Sequence, residues 1–501
     1  MAYTALPYGR SMALYTDLYE LTMGQVYLAS GMKDLEGAFY LSYRHNPFSG
    51  GYAIACGLEF AIDYLKNLRF DEEDIGYLAS LAGNDGRALF SEEFLAYLRQ
   101  MRFACDVDAV PEGTIVFPHE PLIRVTGPII QAQLIETALL TFLNFQTLIA
   151  TKAARICQAA DGAPVLEFGA RRAQGVDGAY SATRAAYIGG CAGTSNVWAA
   201  KHLGLPPSAV KGTMAHSLVM SFDTEPDAFA AYAEAMPNNS IYLVDTYGTL
   251  EGIRHAIDAG RKLRARGFEL TGIRLDSGDL AALSKRARAM LDEAGFDGTQ
   301  IIASNDLDER LIESLKRQGA PIAVWAVGTR LVTAYDDPAL GGVYKLAAIR
   351  RPNGSWERKI KLSDQPIKVS NPGVLQLRRY HTDAKNIADA VYDIETDMSQ
   401  GCTVVNPLDM TRQIKIPAAT PYTDLLVPVF RGGELVYELP PLEEIRRNSL
   451  RELNRVAHGV KRFDYPDEYP AWLEKSLYTA KTNLILERRG IGKYEHEPAA
   501  G

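Results

Sequence analysis

The chain has 501 residues, of which 47% are hydrophobic and 23% charged, and its formal net charge is −8. This length exceeds what one hydrophobic core usually holds, so two or three domains are expected. The negative charge argues against nucleic acid as a partner, because proteins that bind its phosphates are usually basic.

Cysteine use and apolar patterning indicate a cytoplasmic protein without a membrane segment. The five cysteines are widely separated and include no CxxC pair, which excludes a disulfide scaffold or a zinc ribbon and is typical of a reducing compartment. The opening stretch, MAYTALPYGR, lacks the apolar core of a signal peptide. The most apolar long segment, residues 129–149, is interrupted by Gln131, Gln133, Glu136 and Asn144, so it predicts a buried helix and not a membrane span.

Residues 1–127 mix helical and extended patterns and are predicted to form an N-terminal α+β domain. Helical patterns cover residues 18–28 and parts of 71–102. Short strands are expected over residues 39–43, 51–55, 115–117 and 122–125. Gly127 and Pro128 then interrupt the chain, and the pattern changes.

Residues 128–340 are predicted to form an irregular α/β barrel of the TIM type. Short apolar runs recur without polar alternation, as parallel strands covered on both faces require. These runs are residues 165–168, 241–244, 272–275, 301–303 and 322–327. Helical patterns lie between them, and Gly267, Gly295 and Gly319 stand where helices would stop. This repeat is the βαβ signature, for which a doubly wound open sheet is the alternative fold.

The helices between these strands are expected to bury one apolar face each. The three faces combine Leu250, Ile253 and Ile257; Leu280, Leu283, Ala287 and Met290; and Leu307, Leu311 and Leu315.

The alternation stops after Gly341. Residues 341–440 are predicted to supply β segments that return to the N-terminal domain, making that domain discontinuous and β-rich. The segments expected are residues 342–349, 360–369, 374–379 and 402–405. Residues 441–501 are predicted to form a helical C-terminal tail.

Polar residues follow nearly every predicted barrel strand. The short run Ser208–Val210 leads into GTMAHS, which predicts that His216 lies in a loop just after a strand. Chemistry in such barrels is placed at these strand ends. The other polar strand ends are EFGARR (Glu167–Arg172), GGCAGTSN (189–196), Asp245–Tyr247, Arg274–Asp279, Ser304–Asp306 and Gly328–Arg330.

These strand ends favour an enzyme that acts on an anionic phosphosugar. Glycines and hydroxyls at helix starts favour phosphate, and arginine forks bind phosphate or carboxylate. Asp276 is suited to ribose hydroxyls or, through water, to magnesium. For Arg172, Asp279 and Arg330, an ordinary salt bridge is an equally good interpretation. No Walker loop occurs, and no GxGxxG follows a strand.

Seven segments, in order, resemble the nicotinate phosphoribosyltransferase family. They are YTDLYELTM (15–23), FGARRAQGVDG (168–178), GTMAHS (212–217), LVDTYGT (243–249), RLDSGDL (274–280), SNDLDE (304–309), and VGTR (327–330) followed by GGVYKL (341–346). The resemblance covers residues 14–350, with a weaker family-like tail. Ala170 is a minor departure, since other members read FGLRR where this chain reads FGARR.

The resemblance implies a reaction between nicotinate and phosphoribosyl pyrophosphate that gives nicotinate mononucleotide and pyrophosphate for NAD synthesis. It also implies ATP as a co-substrate, Mg²⁺ with ATP and pyrophosphate, and His216 as the histidine that is phosphorylated. A neutral imidazole nitrogen is able to attack a γ-phosphate near neutral pH. The glycosyl transfer itself needs no covalent nucleophile from the protein.

The resemblance assigns further residues to the substrates. Tyr19 stacks on nicotinate from a neighbouring subunit, which implies a homodimer with shared active sites, and Phe168 covers the opposite face of the ring. The remaining expected contacts are Arg171 and Thr213 to carboxylate and phosphate, Arg274 and Asp276 to ribose and pyrophosphate, Gly328 and Thr329 to the 5′-phosphate, with Ser217 and Gly278 completing the substrate-binding set. His216, Asp276 and Arg274 are the expected catalytic residues, and no protein ligand for the metal is assigned.

Ser195 favours nicotinate over nicotinamide. Related nicotinamide phosphoribosyltransferases carry an aspartate in this GT segment, where it accepts from the carboxamide, and Ser195 adds no negative charge there. A nicotinamide transferase and a non-catalytic sensor of phosphoribosyl ligands remain the alternatives. A sensor is able to lose His216 or Asp276, and this chain keeps both. A quinolinate-type transferase is disfavoured by the strand-end motifs.

Overall fold

The structure is a computed structural model that describes residues 12–492. It divides into two compact units: residues 149–338 form one, and residues 12–148 together with 339–492 form the other. The predictions made for the opening stretch and for the last residues of the tail fall partly on residues 1–11 and 493–501, outside the described residues.

The α-helices of the described chain are labelled in order. They are α1 Leu18–Ala29, α2 Leu58–Lys66, α3 Glu72–Ser80, α4 Glu92–Gln100, α5 Ile129–Leu134, α6 Glu136–Ala160, α7 Gly175–Ile188, α8 Val197–His202, α9 His216–Met220, α10 Glu225–Ala235, α11 Thr249–Ala265, α12 Leu280–Glu293, α13 Glu309–Arg317, α14 Thr329–Val332, α15 Leu442–Arg455 and α16 Lys475–Arg488.

The strands are labelled in the same way. They are β1 Glu36–Tyr43, β2 Ala53–Ile54, β3 Asp106–Ala109, β4 Ile115–Val116, β5 Ile123–Pro128, β6 Val165–Glu167, β7 Gly193–Thr194, β8 Ile241–Leu243, β9 Gly272–Leu275, β10 Gln300–Ala303, β11 Val324–Val327, β12 Gly342–Arg350, β13 Trp356–Arg358, β14 Leu375–His381, β15 Asn386–Asp393, β16 Cys402–Val405, β17 Gln413–Ile416, β18 Tyr422–Asp424, β19 Val427–Arg431, β20 Glu434–Leu435 and β21 Ala471–Glu474.

The second unit is the predicted α/β barrel. Its parallel strands lie in the order β7-β6-β11-β10-β9-β8. β6, near the start of the unit, therefore pairs with β11, the last strand of the unit in sequence. Neighbours in the sheet are otherwise neighbours in the sequence, which is barrel order and not the order of a doubly wound open sheet. Each of the five predicted strands is present, and the helices between them end before Gly267, Gly295 and Gly319, which have the positive φ of helix-terminating glycines.

The barrel is irregular where the segment before His216 takes the place of a strand. Residues Pro207–Ala209 form a 3₁₀ turn, and Val210 makes only a single parallel bridge to Thr194. On the far side, the Thr213 hydroxyl donates to the carbonyl oxygen of Ile241 in β8. A side-chain hydrogen bond therefore joins this segment to β8 where a regular barrel would have a backbone ladder.

The first unit is assembled from both ends of the chain. Its largest sheet has the order β13-β12-β1-β5-β3-β19-β20, and β12 and β19 pair antiparallel with β1 and β3. The predicted return of late strands to the N-terminal region is confirmed by these ladders. The predicted boundary at residue 127/128 lies at the end of β5 in this unit, whereas the two units divide within α6.

A second sheet of the first unit has the order β17-β16-β21-β15-β14-β18. β21 comes from the predicted helical tail and lies between β15 and β16, parallel to the first and antiparallel to the second. The tail is therefore helical at α15 and α16 but also supplies a central strand, which the sequence analysis did not predict.

Two local expectations were wrong. Residues 360–369 form no strand and include a 3₁₀ turn at Pro366–Lys368. Leu307 precedes α13, and Leu311 lies on its exposed side, because the buried face is formed by Ile312 and Leu315.

Among the described helices, none is long and apolar enough to span a bilayer.

Candidate active site

The candidate site lies at the carboxyl edge of the barrel, where three adjacent strands end. Asp245 follows β8, Asp276 follows β9 and Ser304 follows β10. Because parallel strands end at the same edge, residues that are distant in sequence meet there. His216 reaches this edge from the irregular segment of the barrel.

His216 is the first residue of α9, so the expectation that it lies in a loop was wrong. Its Nδ1 atom lies 3.1 Å from the Thr246 hydroxyl. Its Nε2 atom faces two carboxylates, at 3.9 Å from Asp245 and 3.8 Å from Asp276. The side chain is 40% exposed, so the ring is held on one side and open to a ligand on the other.

The Asp245 side chain is buried, with 1% of its surface exposed. Its Oδ2 atom accepts hydrogen bonds from the backbone N–H of Asp276 at 2.9 Å and from the Ser277 hydroxyl at 2.7 Å. Its Oδ1 atom is buried and has no hydrogen-bond partner within residues 12–492. A buried carboxylate oxygen without a partner costs free energy, which favours a cation or a hydrogen-bond donor at this point.

Arg274 orients Asp276. Its Nε atom donates to the Ser304 hydroxyl at 2.9 Å, Nη1 to the carbonyl oxygen of Met214 at 3.3 Å, and Nη2 to Asp276 Oδ1 at 3.1 Å. Ser304 also donates to Asp276 Oδ1. Burial opposes the ionisation of Asp276, but the Ser304 hydrogen bond and the Arg274 charge outweigh it and lower the pKa of this carboxyl.

Glu167 holds together the loops that carry Phe168, Arg171 and Ser195. It ends β6 with a buried carboxylate that accepts from the Gly169 backbone N–H and from the hydroxyls of Thr183 and Thr194. Ser195 donates its backbone N–H to the Glu167 carbonyl oxygen at 3.0 Å. Phe168 packs against the apolar barrel cluster that includes Leu166.

Glycine at this edge allows close packing at one position and a left-handed backbone at another. A Cβ on Gly169 would lie 2.3 Å from a Val332 methyl group, so a side chain there would displace α14. Gly278 has φ of +80°, which a side-chain-bearing residue rarely adopts. Gly328 precedes α14, whose first residue is Thr329, beside the end of β6.

Some of the other expected residues are exposed, whereas others already bond to groups within the chain. Arg171, Arg172 and Ser217 are exposed. Arg330 pairs with Asp308 at 3.1 Å, and Asp279 caps α12 by accepting from the Ala282 N–H at 3.0 Å. Asp279 and Arg330 therefore have structural roles within the chain.

Tyr19 belongs to α1 in the first unit and is 45% exposed. Burial and then the charge of the neighbouring Glu136 raise the pKa of its phenol. Its contribution to a partner's active site stays a prediction.

Sequence reasoning noted Asp245, Thr246 and Ser304 as polar strand ends but did not assign them roles. Their contacts to His216, Asp276 and Arg274 join different strands, so no local pattern predicts them. The available signal was their position directly after β8 and β10.

Asp245 and Asp276 are the residues suited to a magnesium ion. Within residues 12–492, no group of three or more His, Cys, Asp or Glu side chains has the arrangement of a complete metal site. Magnesium usually takes one or two carboxylates and completes its shell with water and substrate phosphates. The unpartnered Asp245 oxygen and the partly exposed Asp276 carboxylate fit that requirement.

Comparison with known proteins identifies the family. The chain is 42% identical to the nicotinate phosphoribosyltransferase of Bacillus subtilis (strain 168), over 95% of this chain and 96% of that protein. The chain belongs to the nicotinate phosphoribosyltransferase family. Family models match its N-terminal domain at residues 14–144, the family region at 164–371 and the C-terminal domain at 376–481.

Other members of the family give the same result. A Mycobacterium tuberculosis (strain ATCC 25618 / H37Rv) nicotinate phosphoribosyltransferase, pncB2, is 45% identical over 73% of this chain and 75% of its own. The crystal structure of human nicotinic acid phosphoribosyltransferase is similar with a TM-score of 0.81 and 29% identity, covering 94% of this chain and 99% of that one. The resemblance found in the sequence motifs is therefore confirmed for nearly the whole chain.

Proposed function

We propose that this chain is an enzyme that transfers the phosphoribosyl group of phosphoribosyl pyrophosphate to nicotinate, forming nicotinate mononucleotide and pyrophosphate for NAD biosynthesis. The observation that carries this proposal is the cluster of His216, Asp245, Asp276 and Arg274 at the barrel edge of a chain in this family.

In the transfer, the bond between ribose C1 and the pyrophosphate oxygen breaks, and its electron pair leaves with pyrophosphate. The lone pair of the pyridine nitrogen forms the new C1–N bond. The residues around C1 position the reactants and stabilise charge without forming a covalent intermediate. Asp276 is kept ionised and is partly exposed, which suits it to ribose hydroxyls.

Arg274 is best assigned a positioning role. It is 9% exposed, and each of its three guanidinium nitrogens donates to a protein oxygen. Its charge holds Asp276 in its ionised form and in a fixed orientation. When bound at Asp245 and Asp276, magnesium would supply the positive charge that lets these carboxylates lie beside pyrophosphate.

His216 is proposed as the residue that couples ATP hydrolysis to the transfer. In the tautomer that carries its hydrogen on Nδ1, which then donates to the Thr246 hydroxyl, the lone pair is on Nε2, the nitrogen that faces Asp245 and Asp276. Nε2 attacks the γ-phosphorus of ATP, an N–P bond forms, and the P–O bond to ADP breaks with its electron pair. Water later cleaves the N–P bond and releases phosphate. The added phosphoryl charge lies beside the pyrophosphate site.

Nicotinate is the proposed base. The site offers a cation for the nicotinate carboxylate and lacks the aspartate that would repel it. Arg171 is exposed beside β6, and Ser195 replaces an aspartate that would accept from a carboxamide. A homodimer with Tyr19 shared between sites is proposed from the family resemblance and from the exposure of Tyr19. A cytoplasmic location is proposed because the five cysteines are widely separated in the sequence and include no CxxC pair, which is typical of a reducing compartment.

The test is a steady-state assay with nicotinate and phosphoribosyl pyrophosphate, with and without ATP. Wild type is expected to form nicotinate mononucleotide faster with ATP. His216→Ala is expected to keep slow transfer but to lose the response to ATP. His458→Ala removes an exposed histidine in the first unit and is expected to behave as wild type.

Other outcomes favour other functions. Consumption of nicotinamide instead of nicotinate would reverse the interpretation of Ser195. Binding of phosphoribosyl pyrophosphate without reaction of either base would favour the sensor. An ATP response that survives in His216→Ala would show that the coupling uses another residue.

A further inference from the structure

A cavity of about 560 Å³ lies along α15 in the first unit, and none of its lining residues belongs to the barrel. The helix lines it with residues at helical spacing on one face, including Glu444, Arg447, Arg451 and Arg455. The facing side includes Asn386, the first residue of β15. The volume is that of a small-molecule site.

Asn386 is the strongest sign that the cavity takes a ligand. It is 8% exposed, and neither its amide oxygen nor its amide nitrogen has a hydrogen-bond partner among the described residues. Leaving a buried amide unpaired costs free energy, so such residues are rare unless a ligand or water pairs with them. Asn386 lines the cavity, and it offers a donor and an acceptor in one plane.

The cavity is lined by four arginines and by the acids Glu112, Asp424, Glu444 and Glu452, and ion pairs within the protein neutralise some of these charges. Arg379 pairs with Asp389 and Glu452, and Asp424 pairs with Arg378, so these groups are neutralised within the protein.

Three arginines of α15 are not neutralised in this way. Arg447, Arg451 and Arg455 follow one another at intervals of one helical turn, and none forms an ion pair with a carboxylate in residues 12–492. Arg451 donates only to the Asn448 side chain and Arg455 to the Thr382 carbonyl oxygen and the His381 ring. The Arg455 Nε atom is buried without a partner.

The rest of the lining mixes polar residues, such as Glu112 and Thr423, with an apolar part that includes an aromatic ring. The apolar part includes Leu425, Val427, Tyr437, Leu439 and Ile445. Such a wall is suited to the faces of a planar ring, and arginine forks are suited to phosphate.

We propose that this cavity is a second ligand site, outside the catalytic barrel, that binds a nucleotide, with the arginines of α15 on its phosphate and Asn386 on the hydrogen-bonding edge of its base. An asparagine amide pairs with adenine through one donor and one acceptor. The proposal does not depend on the activity of the barrel.

The test is isothermal titration of the full-length protein with AMP, adenosine and inorganic phosphate. Wild type is expected to bind AMP more tightly than it binds adenosine or inorganic phosphate. Asn386→Leu and Arg451→Ala are each expected to weaken AMP binding by about tenfold or more, the loss expected for one good hydrogen-bonded contact. Arg488→Ala, which removes an exposed arginine from α16, is the matched control and is expected to leave AMP binding unchanged.

Thermal unfolding provides a second readout that guards against misfolding. Without nucleotide, Asn386→Leu is expected to unfold at the same temperature as wild type or higher, because it removes an unpaired buried amide. AMP binding that is equal in wild type and both cavity variants would overturn the proposal. Phosphate binding as tightly as AMP would overturn the recognition of the base.

Discussion

Asp245 carries one partnered and one unpartnered oxygen, and the difference defines its role. The Oδ2 atom fixes the loop after β9 through Asp276 and Ser277, while the buried Oδ1 atom faces His216. A single side chain thus both orders the loop and presents negative charge to the site.

Asp245→Asn is expected to lower kcat by about 10- to 100-fold, the effect typical of residues that support a metal or a catalytic group. The amide oxygen is able to keep the Oδ2 contacts, so the thermal unfolding temperature should change little. Asp279→Asn is the control, since asparagine caps a helix as well as aspartate, and it should retain near wild-type kcat. Wild-type turnover in Asp245→Asn would remove Asp245 from the site.

Lys481 in α16 is a cation held by neutral acceptors. Its ammonium donates to the Val369 carbonyl oxygen and to the Asn371 side chain, and burial lowers its pKa to about 8. Because the unfolded chain binds this proton more tightly, the group destabilises the fold below pH 8.

Lys481→Met is expected to gain stability relative to wild type at pH 7, and the gain should shrink as the pH rises from about 8 toward the unfolded pKa near 10.4. Urea unfolding at pH 7 and pH 9.5 measures this difference. Lys475→Met, on the same helix, is the control for the replacement of a lysine by methionine. An equal effect of Lys481→Met at both pH values would show that the ammonium is not desolvated.

At the scale of elements, a buried ion cluster joins α6 to α13 inside the barrel unit. Glu309, the first residue of α13, lies 2.8 Å from Lys152 and 2.8 Å from Arg155 of α6. Burial opposes the ionisation of Glu309, but the two cations outweigh it and lower the pKa of its carboxyl. Breaking one partner of such a cluster is costly, because the remaining charges stay buried.

Glu309→Gln is expected to lower the free energy of unfolding by about 3–5 kcal/mol at pH 7. The depressed pKa makes this contribution fully present above the unfolded pKa of glutamate, and it should fade as the pH falls through the folded pKa. Glu313→Gln, on the same helix, breaks only an exposed contact to Arg317 and should cost less than about 1 kcal/mol. An equal loss in the free energy of unfolding for the two variants would show that the buried ion cluster adds no more stability than an exposed ion pair.

At the scale of the molecule, the barrel is one continuous stretch, while the other unit joins residues 12–148 to 339–492. The proposed catalytic cluster lies in the barrel unit, and Tyr19 lies in the other unit. The proposed sharing of sites therefore requires that the two units of different chains cooperate.

Co-expression of Tyr19→Ala with Asp276→Ala tests this cooperation. Each variant alone should be nearly inactive. In a random mixture of dimers, half are hybrids with one intact site each, so about a quarter of wild-type activity should return. Asp245→Asn with Asp276→Ala, both in the barrel, should not recover activity. Failure of the first pair would place each complete site within one chain.

Local patterns in the sequence determined the main barrel strands and the ends of the helices between them. The strands β6, β8, β9, β10 and β11 follow from short apolar runs, and the ends of α11, α12 and α13 follow from Gly267, Gly295 and Gly319. Apolar period and helix termination depend on neighbouring residues, so one sequence is enough to read them. The family resemblance likewise rested on short local motifs.

Only the tertiary structure decided how these elements meet. The barrel order depends on the pairing of β6 with β11, and the place of β21 depends on β15 and β16. The start of α9 at His216, the pairing of Asp245 with the loop after β9 and the unpartnered Asn386 amide are likewise set by contacts between distant segments. Local propensity leaves such contacts open, because their free energy comes from packing and hydrogen bonds that exist only after the chain has folded.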